Sequence, residues 1–213
     1  MKTLYKSLVL RTGTATALTY PVRFPIGVLL TTPVAGVLEN NTSGLFYTTL
    51  GDRRSLLQGS QPIVATTTVA DTLTETVLYT TTLAANELIA GETIWTHIFG
   101  YMSTQAAGGG DTCTIRTKIG GTTILTNVLT GKHVTNEPIS VEPVITVRTV
   151  GNPGTVFGYS RCEITNLGYT TAGIATVDIN TTAVSDLTIT CQWGTAHADD
   201  TLSIVQGWST IIW

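Results

Sequence analysis

The 213-residue chain contains little charge. Only 12% of its residues are Asp, Glu, Lys or Arg, which is about half the share found in an average soluble domain. Lysine occurs 4 times and threonine 44 times, so hydroxyl groups carry most of the polarity. Because threonine is β-branched and fits a pleated, half-exposed surface, this composition favours strands. A surface with so few ions is also tolerated where neighbouring subunits of an assembly cover it.

Long apolar runs and paired cysteine motifs are also missing. No apolar stretch reaches the 18 residues or so of a membrane span, and the run at 8–10 ends at Arg11, too early for a secretory signal. We therefore expect no membrane partner. The cysteines have no C-x-x-C spacing, so neither a disulfide framework nor a zinc knuckle is indicated. We expect Cys113, Cys162 and Cys191 to be reduced, buried thiols that pack as small hydrophobic side chains.

The charges are distributed unevenly along the chain. Residues 1–65 carry a net charge of +4, whereas residues 66–213 carry −7. A basic extension on an acidic domain suggests that the two regions meet different partners. The cations are too few and too poorly interleaved with aromatic residues to predict nucleic-acid binding. The cations of the first region are Lys2, Lys6, Arg11, Arg23, Arg53 and Arg54.

Residues 1–65 do not have the pattern of an independent domain. Prolines and glycines interrupt apolar runs that are too short to build a core. Within this region, the turn signal at 40–44 separates Val37-Leu38 from a second apolar run at 45–48, which predicts a β-hairpin. Because one hairpin is marginally stable in water, we expect an extended arm that is ordered by a partner or by other copies of the chain.

Residues 66–213 consist of short strand-like segments separated by turn signals. In one of them, Leu187, Ile189 and Trp193 share a face opposite threonine and glutamine, and this period of two predicts a half-buried strand. Eight such segments favour a two-sheet sandwich, for which a jelly roll is a common solution. The predicted fold is therefore all-β, with an eight-stranded jelly roll at 66–213 after an extended N-terminal arm with a hairpin at 1–65. The predicted strands are 73–83, 93–103, 111–119, 122–129, 140–150, 155–165, 185–194 and 201–213.

The glycines of GGGDTCTIRTKIGGTTIL, residues 108–125, have two interpretations. A phosphate-binding loop would need a helix directly after the glycines, with its N-terminal amides directed at the anion. Instead, a strand pattern follows Gly120-Gly121 and another precedes it, which predicts a two-residue hairpin turn. This interpretation places Cys113 in the core and Arg116 and Lys118 together on the outer face.

Candidate catalytic side chains are few. His97 alternates with aromatic residues, so we expect it in an aromatic packing row rather than a catalytic group. The segment 197–200, HADD, could supply metal ligands, but no second ligand cluster lies near it in the sequence. A polar connection between the last two strands is the simpler interpretation. Asp111 and Asp178 pair with nothing recognisable, so no glycosidase carboxylate pair can be nominated. We predict no catalytic, cofactor-binding or metal-binding residue.

The aromatic residues of the second region also allow a carbohydrate site. Trp193 shares its face with core residues and is expected inside the sandwich. Trp213 follows an apolar strand and is expected to pack against a neighbouring chain, since exposed apolar ends are interface candidates. The aromatic residues considered for such a site are Tyr159, Tyr169, Trp193, Trp208 and Trp213.

The segment FPIGVLLTTPVAGVLENNTSGLFYTTLGDRR, residues 24–54, resembles one found in fibre proteins of tailed bacteriophages. In those proteins, LTTP-x-AG is followed by an acidic residue, an Asx-Gly turn, an aromatic strand and a final Arg-Arg pair. CTIRTKIGGTTIL and LTITCQW in the following domain are similar to the jelly-roll modules after such segments. Asn40-Asn41 replaces the more usual Asp-Gly, and no long shaft is present. The matching positions are Leu30 to Gly36, Glu39, Asn41, Gly44, Phe46, Tyr47, Arg53 and Arg54.

The resemblance implies a non-enzymatic virion structural protein, assembled in the host cytoplasm as a homotrimer. Its basic arm, with the six cations named above, would anchor it to other virion proteins such as the major capsid protein. A capsid decoration or short head fibre is the first expectation, a tail adhesin that binds host-surface glycans the second, and a polysaccharide-degrading enzyme the third. The residues expected in self-association are Phe46, Tyr47, Trp208 and Trp213.

Overall fold

A computed structural model describes the backbone of most of the chain after residue 25. The described residues are 26–30, 32, 34–40, 44–48, 53–58 (without their side chains), 63, 65–105, 111–130, 133–166, 168–173 and 176–212. Several residues predicted above to act as contacts lie outside this set. They are Lys2, Lys6, Arg11, Arg23 and Trp213, together with the side chains of Arg53 and Arg54.

The described chain is all-β, which confirms the fold class predicted from the sequence. Its strands form three antiparallel sheets. Among the described residues, no helix has the length and apolar character needed to cross a membrane. The small N-terminal sheet has the order β1-β2-β3, a larger sheet the order β11-β10-β9-β6-β14-β4 with β12 paired to β10, and a third sheet the order β5-β13-β7-β8. The strands are β1 (Leu38–Asn40), β2 (Gly44–Thr48), β3 (Arg53–Gln58), β4 (Thr67–Ala70), β5 (Thr76–Leu83), β6 (Thr93–Thr104), β7 (Thr112–Ile119), β8 (Thr122–Thr130), β9 (Val134–Thr149), β10 (Gly154–Ile164), β11 (Gly168–Gly173), β12 (Val177–Ile179), β13 (Ser185–Trp193) and β14 (Thr201–Ile212).

The N-terminal hairpin is confirmed. Strands β1 and β2 pair antiparallel, with Leu38 opposite Tyr47 and Asn40 opposite Leu45. The sequence did not predict β3, which pairs with the other side of β2. The preceding segment is held against this sheet by backbone hydrogen bonds from Gly27 N to Asn40 O (2.8 Å) and from Gly36 N to Thr48 O (2.7 Å).

Each of the eight strands predicted in the second region corresponds to an observed strand. The largest shift is at β9, which begins at Val134 rather than at 140. The three strands that the sequence did not predict are short or lie at the edge of the larger sheet: β4, β11 and β12. Strand β11, for example, has no fully buried position, so it lacks the alternation on which the prediction depended.

The core lies between the larger sheet and the four-stranded sheet. Trp193 and Ile98 are buried in it, as are all three cysteines, which are free. The Sγ atoms of Cys113 and Cys191 are 3.4 Å apart, too far for a disulfide bond. The predictions of a core Trp193 and of reduced, buried thiols are therefore confirmed.

The turn between β7 and β8 is the predicted glycine hairpin. Gly120 and Gly121 have φ values of +57° and +82°, and two consecutive positive φ angles are what a type I′ turn requires. On the outer face of β7, Lys118 Nζ lies 2.5 Å from Glu75 Oε1, and Arg116 Nη1 lies 3.6 Å from Glu75 Oε2. The shared outward direction of the two cations is confirmed, and both meet the same carboxylate.

Candidate functional site

One face of the larger sheet, directed away from the core, carries a row of aromatic side chains. Along β6 the alternate positions Trp95, His97, Phe99 and Tyr101 lie on this outer face, while the residues between them are buried. The alternation follows from the strand period of two, because one face of β6 is needed for the core. The sequence predicted this row around His97, and it is confirmed.

A neighbouring strand completes the row. Trp208 on β14 is paired with His97 on β6. The rings of Trp95 and Trp208 lie 5.0 Å apart, edge to face, and those of His97 and Trp208 lie 6.3 Å apart. The rings of His97 and Phe99 are 3.9 Å apart. Edge-to-face aromatic pairs are worth about 0.5–1.5 kcal/mol beyond the area that they bury, so the row is fixed in place by its own contacts.

Polar groups on β9 support the row. Trp95 Nε1 donates a hydrogen bond of 2.9 Å to Glu142 Oε1. Burial lowers the pKa of His97, and the charge of Glu142 only partly opposes this effect. The imidazole is therefore neutral at pH 7, and the row presents rings rather than a cationic group.

Strands β10 and β11 extend the aromatic surface towards the sheet edge. Phe157, Tyr159 and Tyr169 are exposed there, the last of them by 65%. The guanidinium group of Arg161 lies 5.0 Å from the Tyr169 ring centre, and that of Arg148 lies 5.5 Å from the Phe157 ring centre. These distances are within the range of cation–π contacts, so cationic groups are interspersed among the exposed rings.

We call this surface the aromatic face. It combines flat apolar rings with charged groups and hydroxyl groups, and an exposed apolar patch with a polar rim is typical of a binding surface. Its members are Trp95, His97, Phe99, Tyr101, Phe157, Tyr159, Tyr169 and Trp208.

A second candidate surface is formed by the segment before β1. Ile26, Val28 and Leu30 are exposed although apolar, with Val28 reaching 88%. Beside them is an apolar groove of about 220 Å³ between this segment and the sandwich, with Val184 on its far side. We call Ile26, Val28 and Leu30 the arm patch. A contiguous group of exposed apolar side chains is typical of a surface that binds another molecule.

The residues predicted for self-association differ in how far they are exposed. Phe46 is only 1% exposed, so its ring packs within one chain, whereas the neighbouring Tyr47 is 36% exposed. Trp208 is half-buried in the aromatic row. Of the anchoring residues, Arg53 and Arg54 lie on β3, paired with Thr48 and Tyr47 of β2. Their anchoring role remains a prediction.

Sequence reasoning missed one polar cluster. Asp111, which has no recognisable partner in the sequence, is linked to Asp200 by Gln105, which donates hydrogen bonds to both carboxyl groups. The two residues are distant along the chain, and both stand directly before a strand. His197 Nδ1 is 3.7 Å from Asp199 Oδ2 nearby. Within the part of the chain that the structure describes, no group of three or more His, Cys, Asp or Glu side chains could hold a metal ion.

Comparisons with known proteins add little. No family model matches the sequence, and no curated protein matches it. A crystal structure of the alginate lyase from Klebsiella pneumoniae resembles part of the chain, with 8% sequence identity and a TM-score of 0.23. The match covers 57% of this chain and 59% of the lyase, less than two thirds of that protein. A likeness this weak supports no conclusion about activity.

Proposed function

We propose that the chain is a non-enzymatic structural protein of a bacteriophage virion. It would act as a homotrimeric capsid decoration or short head fibre that its N-terminal arm anchors to the particle. The observation that carries this proposal is the arm patch, supported by the resemblance of residues 24–54 to phage fibre segments. The structure leaves these apolar side chains exposed in a single chain, and a symmetric assembly would cover them.

The energetics favour coverage by other copies. Burying an exposed aliphatic side chain contributes roughly 1.5–3 kcal/mol. In a trimer, the three arm patches would meet around one axis, and each chain would bury its Ile26, Val28 and Leu30 side chains there. The net charge of +4 on residues 1–65 favours binding of the arm to an acidic surface of the particle, since opposite charges steer association.

A substitution at the arm patch tests the assembly directly. Replacing Ile26 and Val28 with aspartate introduces charge where the proposal requires apolar contact. Sedimentation velocity should show a trimer for the parent chain and a monomer for this double variant. The control is Val77→Asp, which changes a valine that is 46% exposed on β5 and should leave the trimer intact. A parent chain that sediments as a monomer at all concentrations would rule out the homotrimer.

A second function, recognition of host-surface glycans by a tail adhesin, is favoured by the aromatic face. Sugars present flat C–H faces that pack on aromatic rings, and their hydroxyl groups pair with charged and hydroxyl side chains at the rim. Tyr101 and Tyr159 are 49% and 48% exposed, respectively, so both are accessible to such a ligand.

Binding to arrayed glycans from the bacterial surface distinguishes this second function from the first. If the face binds glycans, Tyr159→Ala and Tyr101→Ala should each weaken binding about two- to tenfold, since an aromatic contact contributes about 0.5–1.5 kcal/mol and about 1.4 kcal/mol corresponds to a factor of ten. Val77→Ala, which shortens an exposed side chain on β5 in the other sheet and outside the face, serves as the control and should bind normally. Equal binding by all four proteins would place the glycan elsewhere, and no binding by the parent chain would exclude the adhesin.

A further inference from the structure

Two carboxyl groups meet at one end of the sandwich, outside both surfaces described above. Asp111 directly precedes β7 in the four-stranded sheet, and Asp200 directly precedes β14 in the larger sheet. Asp111 is 6% exposed and Asp200 is 0% exposed. Gln105 bridges the two side chains, because its backbone N–H donates to Asp200 Oδ1 and its side-chain Nε2 donates to Asp111 Oδ2. The carboxyl pair therefore joins the two sheets where their strands begin.

Donors are available for only three of the four carboxyl oxygens. Thr195 Oγ1 donates to Asp111 Oδ1, and Gln105 Nε2 donates to Asp111 Oδ2. The backbone N–H of Gln105 donates to Asp200 Oδ1 over 3.1 Å. The remaining oxygen, Asp200 Oδ2, is buried and has no donor. A buried oxygen of this kind is unfavourable unless something satisfies it.

Neighbouring charges do not resolve this. His197 and Asp199 lie on the connection before β14, with their own side chains 3.7 Å apart. Asp71, at the end of β4, contacts Asp200 through its backbone N–H. Cys113, on β7, is a buried thiol. Within the described residues, neither Asp111 nor Asp200 forms an ion pair with lysine or arginine. The charge of His197 lowers the pKa of both carboxyl groups, but for Asp200 this effect is smaller than the repulsion from Asp111. Two ionised carboxylates at this point would therefore repel each other with only partial compensation.

We propose that Asp111 and Asp200 share one proton in the folded protein and together act as a pH-sensitive latch between the two sheets. Asp200 carries the proton on Oδ2 and donates it to a carboxylate oxygen of Asp111. A carboxylate oxygen can accept two hydrogen bonds, so the existing bonds from Thr195 and Gln105 are retained. The shared proton satisfies the only carboxyl oxygen of the pair that lacks a donor, and it reduces the buried charge from two to one.

The direction of each pKa agrees with this assignment. Burial raises the pKa of Asp200, and the charge of Asp111 adds to the effect. The hydrogen bond from Thr195 lowers the pKa of Asp111. The contribution of Asp200 to stability is therefore present below its unfolded pKa and is lost as the pH rises through its folded pKa. The contribution of Asp111 is present above its unfolded pKa and is lost as the pH falls through its folded pKa. At pH values between the folded pKa of Asp111 and the folded pKa of Asp200, the two residues share one proton and the latch is closed.

Opening the latch affects several strand ends at once. Gln105 follows β6, and Thr195 lies in the connection from β13 to β14. Both residues are held by the carboxyl pair. Removal of the shared proton leaves two facing charges at this point, so we expect the end of the sandwich to loosen as the pH rises through the folded pKa of Asp200, while the rest of the core remains packed.

The variant Asp200→Asn tests the latch, because its amide N–H can replace the shared proton but cannot titrate. Urea unfolding of the full chain should be followed in steps between about pH 4 and pH 9. We expect the parent midpoint to decline as the pH rises through the folded pKa of Asp200, and the variant midpoint to show no such decline. Asp199→Asn is the matched control, since that neighbouring side chain is 69% exposed, and it should follow the parent profile. Identical profiles for the parent and Asp200→Asn would overturn the proposal.

Carboxyl ¹³C NMR of the parent protein gives a direct readout that does not depend on whether the variant folds. The Asp200 carboxyl carbon should still report a protonated group at a pH at which an aspartate in a model peptide is ionised. Titration of Asp200 at the model-peptide pKa would overturn the assignment. Calcium chloride tests a cation in place of the proton. An increase in the unfolding midpoint with calcium in the parent, absent from Asp200→Asn, would also overturn it, whereas no change with calcium supports the proton.

Discussion

Replacing Gly100 with alanine should destabilise the protein strongly, because β6 and β14 approach too closely there for any side chain. A Cβ atom at position 100 would lie 1.8 Å from the backbone oxygen of Ser203 and 2.9 Å from Cα of Ile204. Non-bonded carbon and oxygen atoms approach to about 3.3 Å, so one strand must move by roughly 1.5 Å at this distance. The atoms in the way are backbone, and no side-chain rotation can relieve the overlap.

The magnitude follows from two contributions. Overpacking of a well-packed site costs about 1–3 kcal/mol, and each ladder hydrogen bond lost as the strands separate costs about 1 kcal/mol more. We therefore expect a loss of about 3 kcal/mol or more in the free energy of unfolding. For a chain of this size that loss corresponds to a decrease in Tm of roughly 6–12 °C. The site also lies beside Phe99 and Tyr101, so the aromatic face should be distorted in this variant.

Thermal unfolding followed by circular dichroism measures this effect. Gly173→Ala is the matched control, because this glycine also lies in a strand and the nearest atom to a Cβ there, the backbone oxygen of Gly158, would be 3.8 Å away, an ordinary van der Waals contact. That variant should remain within about 0.5 kcal/mol of the parent. If Gly100→Ala also stays within that range, the pairing of β6 with β14 described above is wrong.

Three further predictions concern the core and the outer face of β7. At pH 8 the native protein should resist thiol alkylation, since burial raises the pKa of Cys162 to about 12 and the hydrogen bond with Cys191 raises that of Cys113; mass spectrometry showing rapid native labelling would contradict this. Glu75→Gln should lower stability in urea by roughly 0.5–1 kcal/mol at pH 7. The hydrogen bond from Lys118 lowers the pKa of Glu75, so the difference should vanish as the pH falls through that pKa, and a difference that persists in acid would count against the ion pair. Trp193→Ala should cost about 3–5 kcal/mol in the same assay, and a cost under about 1 kcal/mol would show that the indole is not in the core.

The sandwich was largely predictable because the local sequence pattern of most strands and turns matches what the packed fold requires at those positions. Strand β13 alternates apolar and polar residues since one face is buried, and Gly120-Gly121 supplies the positive φ angles of a hairpin. Strands β4 and β12 have only four and three residues, respectively. Runs so short contain too few positions to establish a period, and their pairing depends on a neighbour that the local sequence does not specify.

The candidate sites were less predictable, because each depends on residues that are distant in the sequence. Alternation along β6 predicted an aromatic row around His97, yet the position of Trp208 beside it depends on the register between β6 and β14. The contact of Asp111 with Asp200 likewise exists only after the two sheets have packed. The burial of Phe46 beside an exposed Tyr47 depends on which face of β2 the chain covers, and a five-residue strand does not determine that face alone.

Cryo-electron microscopy of purified phage particles that carry this chain tests the proposed function most directly. We predict threefold-symmetric density on the head that fits the sandwich, with the arm patch buried where the three chains meet. Absence of the chain from the purified particles, or its presence as isolated monomers with residues 26–30 exposed, would contradict the account.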